Sequence, residues 1–324
     1  MTMTPRRVGA AGGVAALATL YLMNASWLAP EPAGPTRWLA HRGVHQTFSL
    51  EGVDNDTCTA SRIRPPTHGL IENTIPSMRA AFEAGASVVE LDVHVSNDRQ
   101  LVVFHDHTLD CRTDGHGTIE DHDLAELRPL DLGYGYTADG GTTWPLRGTG
   151  VGLLVTLPEV LAAFPTESFL IHFKSNTPGD GDLLADLLAA TPDTERDRFI
   201  VYGGQRPVEA ATTRLPWLAS LDKSATKGCL GAYLAYGWLG VTPSACDDRW
   251  LALPISHARW MWGWPNRFQA RMDAAGATVL LLGPYDGGPA AGVDDEATRS
   301  LVPPDFGGYV WTNRIETVGE TSTR

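Results

Sequence analysis

Eight short apolar runs recur after residue 36, and the stretches between them carry apolar residues three and four apart. The runs lie at 37–41, 88–95, 169–174, 199–202, 218–221, 251–255, 278–282 and 309–312, with helical patterns at 75–84, 157–164, 183–190, 208–214, 230–238, 267–274 and 296–301. Short apolar runs bounded by turn residues read as strands covered on both faces, as in a parallel sheet beneath helices. Strand–helix alternation is the signature of that arrangement. Eight such units predict an α/β fold, a (β/α)8 barrel of the TIM type. Little sequence follows Arg314, so the eighth helix is expected to be missing or very short. The first helix is the clearest, with Ile75, Met78 and Phe82 on one stripe behind a Thr74 cap and Pro76.

Two insertions interrupt this rhythm, at 44–70 and 106–152. Both follow predicted strand ends, so both are expected near the C-terminal face, where barrels place their functional loops. The second is rich in glycine and carries Tyr134, Tyr136 and Trp144. It reads as a lid or specificity loop, or as surface decoration stapled by a disulfide.

The first residues are of a different kind. Residues 8–29 contain no charge and follow Arg6 and Arg7. About 22 apolar residues are enough to span a bilayer as a helix. A secretory signal is the rival reading, although a cut after Ala29 would put Trp27 at the third position before it. Pro30, Pro32 and Pro35 separate this segment from the first strand. The expected organisation is therefore a leader or membrane anchor with linker over 1–35 and a single barrel domain over 36–324. The barrel is expected to be exported, either anchored or secreted.

The four cysteines, Cys58, Cys111, Cys229 and Cys246, form no CxxC pair. In an oxidising compartment two disulfides are expected. Proximity in sequence pairs Cys229 with Cys246 and leaves Cys58 with Cys111. The net charge of −13 argues against a nucleic-acid partner, because the basic surface that neutralises phosphates is missing.

Chemistry concentrates on the second strand. Glu90 and Asp92 stand two apart in an apolar run, SVVELDVHV, so they share a face. Two buried carboxylates repel one another, and a hard divalent cation relieves them. His41 ends the first strand and His105 ends the hairpin after the second. Each titrates near neutrality and can move a proton. Glu72, beside Asn73 at the start of the first helix, can complete a metal sphere or orient Arg42; capping the helix is its other reading, and that of Asn73. Arg42 and Lys174 are candidate clamps on phosphate oxygens, or ion-pair partners of the carboxylates. The tryptophans of RWMWGWP, at 259–265, read either as an apolar wall for a substrate's alcohol or lipid portion or as helix packing.

His41-Arg42-Gly43, Glu72-Asn73-Thr74 and the long stretch from Gly85 to Gly117 resemble the glycerophosphodiester phosphodiesterase family of phospholipase-C-like barrels. The resemblance implies metal-dependent hydrolysis of a small glycerophosphodiester to sn-glycerol 3-phosphate and an alcohol. It implies His41 and His105 as the acid–base pair and Glu90 and Asp92 as metal ligands; Arg42, Lys174 and Asn73 are expected to bind substrate. A phospholipase-D-like lyase acting on lysolipids is the alternative, as is a binding barrel that has lost catalysis. The chain departs from the family on its third strand, where a carboxylate is expected two residues before a lysine. Here the strand reads Phe169-Leu170-Ile171-His172-Phe173-Lys174. His172 is expected to replace the carboxylate as a metal ligand, moving preference from Ca²⁺ or Mg²⁺ towards Mn²⁺ or Zn²⁺. Water, Glu72 or Asp222 are the other substitutes for the lost oxygen.

Overall fold

A computed structural model of the chain describes residues 17–319 apart from 31, 33, 55, 56 and 305. Eight parallel strands with helices between them form a nearly closed (β/α)8 barrel of the TIM type. The strands are β1 (Arg37–Ala40), β2 (Ala86–Val95), β4 (Ser168–Phe173), β5 (Phe199–Gly203), β6 (Ala219–Ser220), β7 (Trp250–Pro254), β8 (Thr278–Leu282) and β9 (Tyr309–Thr312); β3 (Leu101–Val103) is an extra strand paired antiparallel with β2. The eighth helix is short, Ile315–Val318. Three helices begin earlier than the apolar pattern predicts, at Pro178, Gln205 and Lys223. Their first turns are polar or glycine-bearing, so periodicity does not register them. What starts the first and third is Pro178 at a position that needs no N–H, and the Asp222 carboxylate accepting from Ala225 N.

The chain divides into two compact units. The larger comprises Arg37–Leu221, Leu282–Ser300 and the residues from Val310 onward, and holds strands in the order β6-β5-β4-β2-β1-β9. Across it, Asp92 on β2 pairs with His172 on β4, which pairs with Tyr202 on β5. One row of side chains thus crosses three strands at one height.

The two insertions belong to this unit and build a second core rather than a loose flap. Ile63 from the first, and Ile71 just after it, pack with Leu109, Ile119, Leu127, Leu132, Tyr136 and Leu146 from the second, and with Val102 and Phe104. The Cys58–Cys111 disulfide joins the two. Glycines allow the tight approach: a Cβ on Gly135 would sit 1.8 Å from the Cys111 carbonyl oxygen. Asp131 gathers the turn by accepting from Gly133 N, Gly148 N and Gly150 N. Only the tip, where Arg147 lies over Tyr134 and Trp144, keeps the exposed aromatic character of a specificity loop.

The smaller unit comprises the described residues up to Thr36, Asp222–Leu281 and Leu301–Tyr309. The Cys229–Cys246 disulfide ties helix Lys223–Tyr236 to the turn at Ser244–Cys246. Trp264 packs on Phe268 and Phe306, whereas Trp260 and Trp262 remain exposed. Part of the apolar leader is folded into this unit. Residues 17–24 are helical, and Arg271 donates to Asn24 Oδ1 (3.0 Å) and to the Met23 carbonyl (2.9 Å). Asn24 Nδ2 donates to the Trp238 carbonyl, and Asn266 N to Ser26 Oγ. Residues 8–16 of the run lie outside the described residues; among those described, no helix is long and apolar enough to cross a membrane.

Candidate active site

The site rests on two turns that only particular residues can make. At the end of β1, Arg42 and Gly43 have φ of 55° and 77°. A Cβ on Gly43 would meet Ser77 Oγ at 2.2 Å, so glycine is required there. Asn73, with φ 59°, makes the facing turn and donates its backbone N–H to the Arg42 carbonyl. The pair of left-handed turns brings His41 and Arg42 against the second strand.

Glu90 and Asp92 are fully buried, at 0% exposure. Their surroundings differ. Asp92 has Arg42 Nε at 3.3 Å, Lys174 Nζ at 3.6 Å and His172 Nδ1 at 2.7 Å. Burial would raise its carboxyl, but Lys174, His105 and Arg42 hold it well below the usual range. Glu90 receives hydrogen bonds from Tyr202 Oη (2.6 Å) and Arg42 N (3.2 Å), and its ion-pair partners are two histidines, His172 at 3.6 Å and His41 at 3.8 Å. Burial and then the charge of Asp92 push its carboxyl up. Glu90 is therefore the carboxylate short of positive charge. Ligand atoms of Glu90, Asp92 and His172 lie within 4.8 Å of one another, a donor set of oxygen and imidazole nitrogen that fits a divalent cation. His172 comes to the carboxylates as its strand position predicts, held flat against Tyr202 with ring centroids 4.1 Å apart.

Each of the two motif histidines is anchored through Nδ1. His41 Nδ1 lies 2.6 Å from Asn313 Oδ1, and Asn313 is itself fixed by donating from Nδ2 to Asp294 Oδ2. The amide oxygen can only accept, so His41 carries its proton on Nδ1 and turns a lone pair on Nε2 towards Glu90. His105 Nδ1 lies 2.5 Å from Asp106 Oδ1, and Asp106 accepts in turn from Arg112 Nε. Burial and Arg42 lower both imidazoles, His105 to about 4 against the pull of Asp92 and Asp106. Both rings are neutral at pH 7, each with one nitrogen engaged.

A buried guanidinium supports the arrangement from behind. Arg112 donates to Asp106, Glu72 Oε2 (2.9 Å), Tyr136 Oη (2.6 Å) and Thr59 Oγ1 (2.7 Å). Glu72 Oε1 accepts from Arg42 (3.0 Å). Burial would raise the Glu72 carboxyl, yet Arg112 and Arg42 hold it at about 2.

Glu72 lies outside the cluster formed by Glu90, Asp92 and His172, with Oε1 accepting from Arg42 and Oε2 from Arg112. The Asn73 amide is engaged at both ends by Asp92, accepting from its N–H and donating to Oδ2, rather than turned towards a substrate. The helix cap beside it is Thr74, which accepts from Ser77 N. Arg42 is engaged with Glu72 and Asp92, and Lys174 keeps a looser contact. Asp222 caps a helix of the smaller unit. The sequence does not point to Tyr202, Asn313 or Arg112, and it marks Tyr136 only as a loop aromatic, not as a partner of Arg112. Tyr202 was within reach of the sequence reading, since pairing the ends of β2, β4 and β5 in register puts it beside His172.

Fold and site together define a TIM-type barrel with a buried, histidine-flanked acidic site at the ends of its strands. Residues 41–181 match the model of the glycerophosphoryl diester phosphodiesterase family. It is 47% identical over 62 residues to a glycerophosphodiester phosphodiesterase of Caldanaerobacter subterraneus subsp. tengcongensis, a match covering 19% of this chain and 26% of that one. The chain thus spans about a quarter of that relative's length. Among solved structures it is similar to the glycerophosphoryl diester phosphodiesterase domain of an uncharacterised Mycobacterium tuberculosis protein (TM-score 0.59, 18% identity, 87% of this chain and 97% of that one). It is also similar to an Oleispira antarctica phosphodiesterase in complex with the product sn-glycerol-3-phosphate (TM-score 0.51, 19% identity, 86% and 93%). At these identities the likeness is one of fold.

Proposed function

We propose that this chain hydrolyses glycerophosphodiesters to glycerol 3-phosphate and an alcohol, in a metal-dependent reaction with His41 and His105 as the acid–base pair. The observation that carries the reading is the meeting of Glu90, Asp92 and His172 between two histidines anchored through Nδ1. Glu90, Asp92 and His172 would hold the cation, whose chemistry when bound is to polarise a phosphoryl oxygen and acidify the attacking oxygen. Nε2 of one histidine takes the proton of the attacking group, and Nε2 of the other supplies one to the departing alkoxide. Asn313 and Asp106 stabilise each ring in its tautomer and set its direction. Arg42 and Lys174, already beside Asp92, bring positive charge to the non-bridging oxygens. Arg112 and Glu72 keep Arg42 and the Asp106–His105 pair in place.

The barrel domain is placed at 36–324, outside the cytoplasm, with the segment before it as anchor or signal. The two disulfides are consistent with an extracytoplasmic protein. Glycerol 3-phosphate release is the test: protein stripped with chelator and reloaded with Ca²⁺, Mg²⁺, Mn²⁺ or Zn²⁺ is offered glycerophosphodiesters with different head groups. His41→Ala and His105→Ala should each lower turnover by about 10²–10⁴. A cyclic phosphate product would transfer the reading to the lyase, and metal binding without turnover on any diester would leave a binding barrel.

A further inference from the structure

A second cluster stands beside the first and takes no part in that reaction. His94 follows Asp92 by two residues on β2, is 1% exposed, and has its Nε2 3.4 Å from the His105 carbonyl oxygen. A carbonyl oxygen only accepts, so Nε2 carries a hydrogen, and in the neutral ring Nδ1 presents a lone pair. That Nδ1 is buried and makes no hydrogen bond. Its nearest charged neighbour is Glu120 Oε1, at 3.7 Å, an oxygen that also carries lone pairs. A buried lone pair facing a half-exposed carboxylate calls for a positive guest between them, a proton or a metal ion. His107 completes the group, its ring 6.2 Å from that of His94, and the ligand atoms of all three lie within 4.8 Å of one another.

We propose that His94 Nδ1, His107 and Glu120 form a second metal site, for a divalent transition metal of the zinc type. Two imidazoles and one carboxylate are the donors such an ion takes, with coordination positions left over for water or another ligand. Ca²⁺ and Mg²⁺, which take oxygen, suit the neighbouring carboxylate pair better. Metal–ligand bonds of about 2.0–2.2 Å bring tetrahedral ligand atoms closer than the present spacing. Closing that gap falls to His107 and Glu120, which are exposed and half-exposed, while His94 is the fixed member. The bond from His94 Nε2 to the His105 carbonyl orients the fixed imidazole, as outer-sphere partners do at metal sites. Asp180 adds negative field: its carboxyl is raised by burial and, in part, by the charge of Glu120. An ion here would tie His107 and Glu120 to the strand carrying Asp92, bracing the turn that holds His105.

Zinc binding to the full chain, disulfides intact and chelator-stripped, is the test, read by equilibrium dialysis with elemental analysis and by the visible absorption of the Co²⁺ form. Glu90→Gln serves to remove the neighbouring site. His107→Ala and Glu120→Gln change surface side chains, so the fold should survive, which circular dichroism in chelator checks. In the Glu90→Gln background one equivalent should remain, and either substitution should weaken it by more than the roughly 10–100-fold that follows loss of an outer-sphere partner. The cobalt spectrum of that equivalent should disappear with it. No zinc in the Glu90→Gln protein, or an isotherm unmoved by both substitutions, overturns the proposal.

Discussion

Arg112→Met is the substitution whose effect the structure fixes most tightly. Arg112 is buried and satisfies Glu72, Asp106, Tyr136 and Thr59 at once. Methionine fills comparable space but leaves buried Glu72 and half-buried Asp106 short of a partner. Against burial, the fall of the Glu72 carboxyl from its ordinary 4.5 to about 2 is worth about 3 kcal/mol shared between Arg112 and Arg42, and Arg112 holds the Asp106 carboxyl low as well. That agrees with the roughly 3–5 kcal/mol lost when one partner of a buried ion pair is removed. The sign of the pH dependence follows. Glu72 has a folded pKa below its unfolded one, so its contribution is fully present above 4.5 and is lost as pH falls towards 2. The gap between wild type and Arg112→Met in urea denaturation, followed by tryptophan fluorescence, should be about 3 kcal/mol at pH 7 and should narrow steadily below pH 4.5. A gap under about 1 kcal/mol at pH 7, or one that stays constant down to pH 3, would refute the reasoning.

Tyr202→Phe keeps the stack on His172 but removes the donor to Glu90, and should weaken divalent binding at the carboxylate pair by about 10–100-fold in calorimetry. His172→Glu should raise affinity for Ca²⁺ or Mg²⁺ relative to Mn²⁺ or Zn²⁺; an unchanged metal profile in the same titration would leave the imidazole out of the site. Thiol titration of the unreduced, unfolded protein should find no free cysteine, and reduction should destabilise the fold by about 2–5 kcal/mol per bridge, seen as a lower melting temperature.

Much of this molecule was legible because its signals are local. Strand identity follows from short apolar runs, and the shared face of Glu90 and Asp92 follows from a period of two. Both disulfide pairings follow from order along the chain. Contacts that depend on register between strands, or on chain returning from far away, leave no such trace. Tyr202 reaches Glu90 across 112 residues and Asn313 reaches His41 across 272. Nothing near Glu72 in sequence announces its partner Arg112, 40 residues on. The long insertion looked like a lid because its glycines suggest freedom; in the fold they mark close approach, as Gly135 does against Cys111.

The clasp between Arg271 and the residues at Met23 and Asn24 bears on how the molecule can be mounted. A body on a loose leash tumbles about its point of attachment, and the proline-rich stretch before β1 looks like such a leash. Yet the smaller unit grips the chain well upstream of those prolines, at residues 23–26, and again at Thr36, whose hydroxyl donates to the Phe306 carbonyl. The swivel is therefore bypassed. Whatever direction the helix at 17–24 takes is handed straight to the unit it is bolted to, and a protease that removed it would strip Arg271 of two partners.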